Sequence, residues 1–107
     1  MLVYDVFVLM FDALDVMYDE APNEILGNYL SGLNPFWFND EGSADPAEYE
    51  EFKEVFLKQF SNKEPSPEET YIFCKDYLKL KAPKEVNVAF SKINKDDWIY
   101  SAENNEE

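Results

Sequence analysis

Enzymatic chemistry near neutral pH needs a side chain that titrates, attacks or clamps, and this sequence has few of them. It has no His and no Arg, and its only Cys is Cys74. Without imidazole there is no base poised near pH 7, no Ser-His-Asp or Cys-His arrangement and no His metal ligand. Without guanidinium there is no bidentate clamp for phosphate or carboxylate, and no glycine-rich phosphate loop is present. Cys74 falls on the apolar stripe of a predicted helix, where a small buried hydrophobe is the expectation. One Cys and no His leave zinc without a ligand set.

Carboxylates remain, 23 of them against nine Lys, for a net charge of −14. A glycosidase-type pair needs two acids held across a cleft, which a small helical chain hardly offers. The segment Asp40-Glu41-Gly42-Ser43-Ala44-Asp45 could offer oxygens to calcium, but Gly42 stands where the EF-hand pattern needs a ligand. The third use of carboxylates is recognition, and their placement favours it. Residues 1–52 hold twelve acids and no Lys, a net of −12; residues 53–107 hold eleven acids and all nine Lys, a net of −2. Such a half repels nucleic acid and anionic membranes, attracts a basic protein and speeds its approach. The expectation is therefore a binding protein with no catalytic residue, no cofactor and no metal.

The elements that must position these acids follow from periodicity and punctuation. Val3, Val6, Phe7, Met10, Leu14 and Met17 recur at helical spacing over residues 2–18, with Asp5, Asp12, Asp15 and Asp19 on the other side. Pro22 is placed to open a second helix at its first position, with Ile25, Leu26, Tyr29, Leu30 and Leu33 as its stripe, ended by Gly32 and Asn34-Pro35. Residues 34–45, NPFWFNDEGSAD, form the main irregular segment. Asp45-Pro46-Ala47-Glu48 starts a third helix, Asp45 capping and Glu48 reaching back as in a capping box, and this helix buries Tyr49, Phe52, Phe56 and Phe60. Ser66-Pro67-Glu68-Glu69 repeats that pattern ahead of a stripe of Tyr71, Cys74, Tyr77 and Leu78, widened by Phe73 and Leu80. Pro83 opens a short segment to about Lys92, in which Val86–Phe90 reads as either helix or strand. Asn94 caps a last turn carrying Trp98 and Ile99, and residues 103–107 read as a frayed tail. With 46% hydrophobic residues a real core is available. The chain reads as one all-α domain over residues 1–107, a compact bundle of five or six helices.

Within this frame the candidate partner-binding residues are Asp12, Asp15 and Asp19 on the first helix, and Trp37, Asp40, Glu41 and Asp45 in the irregular segment. Of the three rings Phe36, Trp37 and Phe38, one or two are expected to cover the core and one to stay exposed beside the acids, where an aromatic anchors a cationic surface. No apolar run reaches the roughly 18 residues of a membrane span. The apolar start Met1–Phe11 lacks a basic flank and a cleavage site, and a lone Cys fits a reducing compartment, so a cytoplasmic location is expected.

The stretch NPFWFNDEGSADPAEYEEF, with LGNYLSGLNPF before it and SKINKDDWI near the end, resembles a family of small bacterial immunity proteins. These neutralise the toxins of contact-dependent growth inhibition and related polymorphic toxin systems. The resemblance implies a helical fold and a role as a specific antidote to a cognate toxin domain. It carries no catalytic residue and no assigned binding residue. Acidity fits a toxin that is a basic nuclease, whose phosphate-holding face the antidote would cover. Two other classes stay open: an acidic DNA mimic inhibiting a DNA-binding protein, and a small carboxylate enzyme or calcium-binding protein.

Overall fold

The computed structural model describes residues 1–104 and contains six helices, with no strand among them. In chain order they are α1 Val3–Glu20, α2 Glu24–Leu33, α3 Pro46–Phe60, α4 Pro67–Lys81, α5 Lys84–Ser91 and α6 Lys95–Asn104. The expected all-α bundle is what forms. α1 is its axis and packs on α2, α3, α5 and α6, while α4 packs on α5 and α6.

The apolar stripe of α1 explains that centrality. Val6, Phe7, Met10 and Leu14 are fully buried, with Leu9 and Phe11 nearly so. Phe7 meets Tyr49 and Phe52 of α3, and Phe52 in turn meets Phe56, Phe73 and Tyr77 at centroid separations of 5.1–6.0 Å, mostly edge-on. Edge-to-face rings contribute about 0.5–1.5 kcal/mol per pair beyond the area they bury. Cys74 lies fully buried in this core, and burial pushes its thiol up, away from the reactive thiolate.

The polar groups of the second half are tied together internally. Ser66 and Glu69 make a complete capping box at the start of α4. The Trp98 indole N–H donates to Thr70 Oγ1 at 3.1 Å, and Tyr71 donates to the Ile93 carbonyl at 2.9 Å. Asn87 Nδ2 donates to the Leu78 and Pro83 carbonyls at 3.0 and 3.1 Å, stitching α5 to the end of α4. Val86–Phe90, open to either reading in the sequence, is helical, with Val86, Ala89 and Phe90 buried at helical spacing.

Several local expectations need correction. Pro22 is not the first residue of α2; Asn23 is the cap, its side chain accepting from Leu26 N–H, and the helix starts at Glu24. Asp45 caps α3 through Ala47 N–H, but Glu48 does not complete a box, because the Asp45 N–H donates to the Gly32 carbonyl instead. Ile25 and Leu80 belong to no buried stripe, being 42% and 76% exposed. Residues 103 and 104 continue α6 rather than fraying; residues 105–107 lie outside those described. Gly27 has a packing reason. A Cβ there would lie 2.9 Å from the Tyr18 ring, so glycine lets α1 and α2 approach.

Candidate functional site

The irregular segment between α2 and α3 is held at its base and open at its tip. Ala44 N–H donates to the Asn34 carbonyl and Asp45 N–H to the Gly32 carbonyl, both at 2.9 Å. Asn34 Oδ1 accepts from Phe36 N–H at 2.8 Å, and the Tyr4 hydroxyl donates to the Pro35 carbonyl at 3.0 Å. Ser43, itself buried, accepts from Tyr49 N–H and donates to the Asp45 carbonyl. Residues 36–41 are all exposed between these fixed ends.

Phe36, Trp37 and Phe38 are 65%, 68% and 55% exposed, so none of the three covers the core. This corrects the expectation that one or two would. The pinned base leaves the tip no route inward, and the core is already filled by the rings of α1, α3 and α4. Phe36 keeps one edge-on contact with Phe11 of α1, at 5.9 Å. Asp40 and Glu41 follow on the same exposed run. The Glu41 charge reaches Tyr4 and Tyr49. Burial first, then Glu41 among its acidic neighbours, pushes the Tyr49 hydroxyl up to about 12.

Asp12, Asp15 and Asp19 project from one face of α1 at spacings of three and four residues. Asp15 and Asp19 are exposed and Asp12 is half-buried. The Asp12 carboxyl is raised, by burial first and by the Asp15 charge second. The Phe11–Phe36 contact sets the aromatic loop beside the strip of α1 that carries Asp15, whereas Asp12 lies further round the helix and lines a groove between α1 and α6. Asp19 lies further along, eight residues past Phe11, or about 12 Å of helix.

Asp45 is not brought into that surface as a free carboxylate. Its side chain accepts from Ala47 N–H at 3.1 Å as the cap of α3, and its charge helps raise the half-buried Glu48 carboxyl, after burial. Among the described residues no group of three or more His, Cys, Asp or Glu is arranged to hold a metal ion. No helix among them is long and apolar enough to cross a membrane.

Residue types alone did not mark Phe36 and Phe38 as surface residues. The signal in reach was their company, a run NPFWFND in which three rings abut an acid and follow a helix-ending Asn-Pro. No family model, no curated protein and no solved structure matches this chain.

Proposed function

We propose that this protein is a cytoplasmic inhibitory binding protein of the toxin-neutralising kind, which covers a basic face of a cognate bacterial toxin domain. The observation that carries the reading is the exposed triplet Phe36-Trp37-Phe38 on a loop fixed at both ends, within 52 residues that contain twelve acids and no Lys or Arg. Exposed rings are poor company for water and good anchors at interfaces, where Trp and Tyr dominate the residues whose removal costs most. Carboxylates around such anchors select Lys- and Arg-rich surfaces and raise association rates, up to about 10⁸–10⁹ M⁻¹s⁻¹ at low salt. A nuclease is the toxin class whose chemistry fits best, since it must hold phosphate on a basic face. The lack of His and Arg and the burial of Cys74 favour this reading over a small enzyme.

The test is binding to the toxin domain encoded beside this protein, followed across salt concentration. Charge reversals Asp12→Lys, Asp15→Lys, Asp40→Lys and Glu41→Lys, made singly, should each slow association and flatten its salt dependence. A stoichiometric complex whose affinity and salt dependence survive all four reversals would place the contact surface elsewhere. A toxin domain that is neither bound nor inhibited would remove the reading.

A second reading, a DNA mimic, draws on the row Asp5, Asp12, Asp15 and Asp19 along α1. It accounts for the acids but not for three exposed rings. Capture of many unrelated DNA-binding proteins, with Trp37→Ala without effect, would favour it.

A further inference from the structure

α1 turns a different face to α6 than to the aromatic loop. Between α1 and α6 runs a groove of about 460 Å³, floored by Leu9, Ala13 and Met17 on one wall and by Ile93 and Trp98 on the other. Val16, 51% exposed, forms an apolar lip. Asp12, Glu20 and Asp97 line the groove with a single cation, Lys92. None of these four charges is in an ion pair. The ion pairs of the described residues are Met1–Glu64, Lys81–Glu51 and Lys95–Glu68.

Two of the carboxylates are placed at a cost to the free chain. Asp12 is half-buried beside Asp15, and neither carboxylate is in an ion pair among the described residues. Glu20 stands in the last turn of α1, where the helix dipole is already negative and no basic residue is present. One ligand carrying cations along the groove would relieve both. From Leu9 to Glu20 the groove follows α1 for about 16 Å, the length of three helical turns, and its apolar floor is as long as its charged rim. An elongated site of that mixture fits an amphipathic segment rather than a compact ion. A second copy of this chain would bring another −14 of charge and is disfavoured.

We propose that the α1/α6 groove docks an amphipathic cationic helix of the protein partner, apolar side chains lying on Val16 and Met17 and Lys or Arg side chains meeting Asp12, Glu20 and Asp97. This inference rests on the reading of the chain as a binder of a basic protein and gives that binder a second contact, round α1 from the loop.

The probe is a Leu/Lys peptide of about 14 residues, roughly 20 Å when helical, with Leu at helical spacing, and a sequence-scrambled isomer of equal charge. Each is titrated into the isotope-labelled full chain and followed by amide chemical shifts. The patterned peptide should move Ala13, Val16, Asn94 and Ser101 and bind at least roughly tenfold more tightly than the isomer. Val16→Lys should lower its affinity by about tenfold, with the circular dichroism of the fold unchanged, and Asp97→Asn should weaken it less. Shifts confined to Phe36–Phe38, equal affinity of the two isomers, or no binding would each overturn the groove. Since the readout is the peptide, such a failure leaves the loop's role to the toxin-binding measurement, and the two proposals fail separately.

Discussion

The two halves of this chain treat their polar groups differently. In the second half, side-chain donors and acceptors are spent on the fold: the Ser66–Glu69 box, Trp98 on Thr70, Tyr71 on Ile93, Asn87 on Leu78. In the first half, of twelve acids only Glu51 enters an ion pair among the described residues, with Lys81 across the bundle. Its other polar contacts include the cap of α2, the base of the 34–45 segment and the Met1 ammonium, which donates to the Pro65 carbonyl and pairs with Glu64. What is left over, a row of aspartates and three rings, faces outward. Uncompensated like charge opposes the compact state, and three exposed rings forgo burial worth about 1.5–3 kcal/mol each. On the proposed reading such a region is left free for a partner, and its counterpart holds the fold that carries it.

That contrast can be broken or sharpened by substitution. The largest effect is expected where the halves share a core. Phe52→Ala removes a fully buried ring touching Phe7, Phe56, Phe73 and Tyr77, and should cost about 3–5 kcal/mol in urea unfolding. A cost under about 1 kcal/mol would mean that the halves fold on separate cores.

Trp37→Ala separates binding from folding. Toxin affinity should fall by about thirtyfold, equivalent to roughly 2 kcal/mol, while unfolding stability moves by no more than about 0.5 kcal/mol. Equal loss in both measurements would make the ring structural.

Caps come next. Asp45→Ala and Ser66→Ala, one in each half, should each cost about 1 kcal/mol of stability, and Asp45→Ala should leave toxin affinity unchanged. A large affinity loss at Asp45 would return it to the contact surface.

The smallest effect carries a sign that differs between the halves. The Asp12 and Glu48 carboxyls are raised, chiefly by burial. A raised carboxyl contributes stability that is full below its unfolded range and is lost as pH climbs through the folded value. Glu69, bonded by Ser66 N–H, is lowered, so its contribution is present above the unfolded range and is lost as pH falls through the folded value. Asp12→Asn, which mimics the favoured neutral form, should therefore stabilise the protein at pH 7 by about 0.2–1 kcal/mol and change little at low pH, as read from thermal unfolding against pH. Destabilisation at pH 7 would show that the ionised form has a partner.

The helical architecture was legible because its signals are local. A Pro after Asp or Ser, and apolar residues at helical spacing, need no knowledge of the rest of the molecule, and the starts at Pro46 and Pro67 fell where they were expected. Burial was less legible because it is settled by neighbours. Ile25 and Leu80 have the side chains of core residues yet stand exposed, and hydrophobicity alone suggests a core place for one or two of Phe36–Phe38, all three of which are exposed. The Asp45 N–H went to Gly32 rather than to Glu48 because a chain reversal thirteen residues long brought a carbonyl nearer than the side chain. Asp12, Asp15, Trp37, Asp40 and Glu41 could be named from charge and type. Which of them lie together depended on tertiary contacts: Phe11 on Phe36 brings the loop beside Asp15, while Asp12 lines the groove toward α6.

Pinning of the 34–45 segment has a consequence for how recognition proceeds. Fixing one backbone residue costs about 1–2 kcal/mol of conformational entropy, and here Tyr4, Asn34, Ser43 and the Gly32 and Asn34 carbonyls fix the ends of the loop when the chain folds. On the proposed reading a partner would meet rings already presented, with little ordering left to do at the moment of contact. Binding calorimetry should then show a heat-capacity change set by the apolar area covered, without the larger change that accompanies coupled folding.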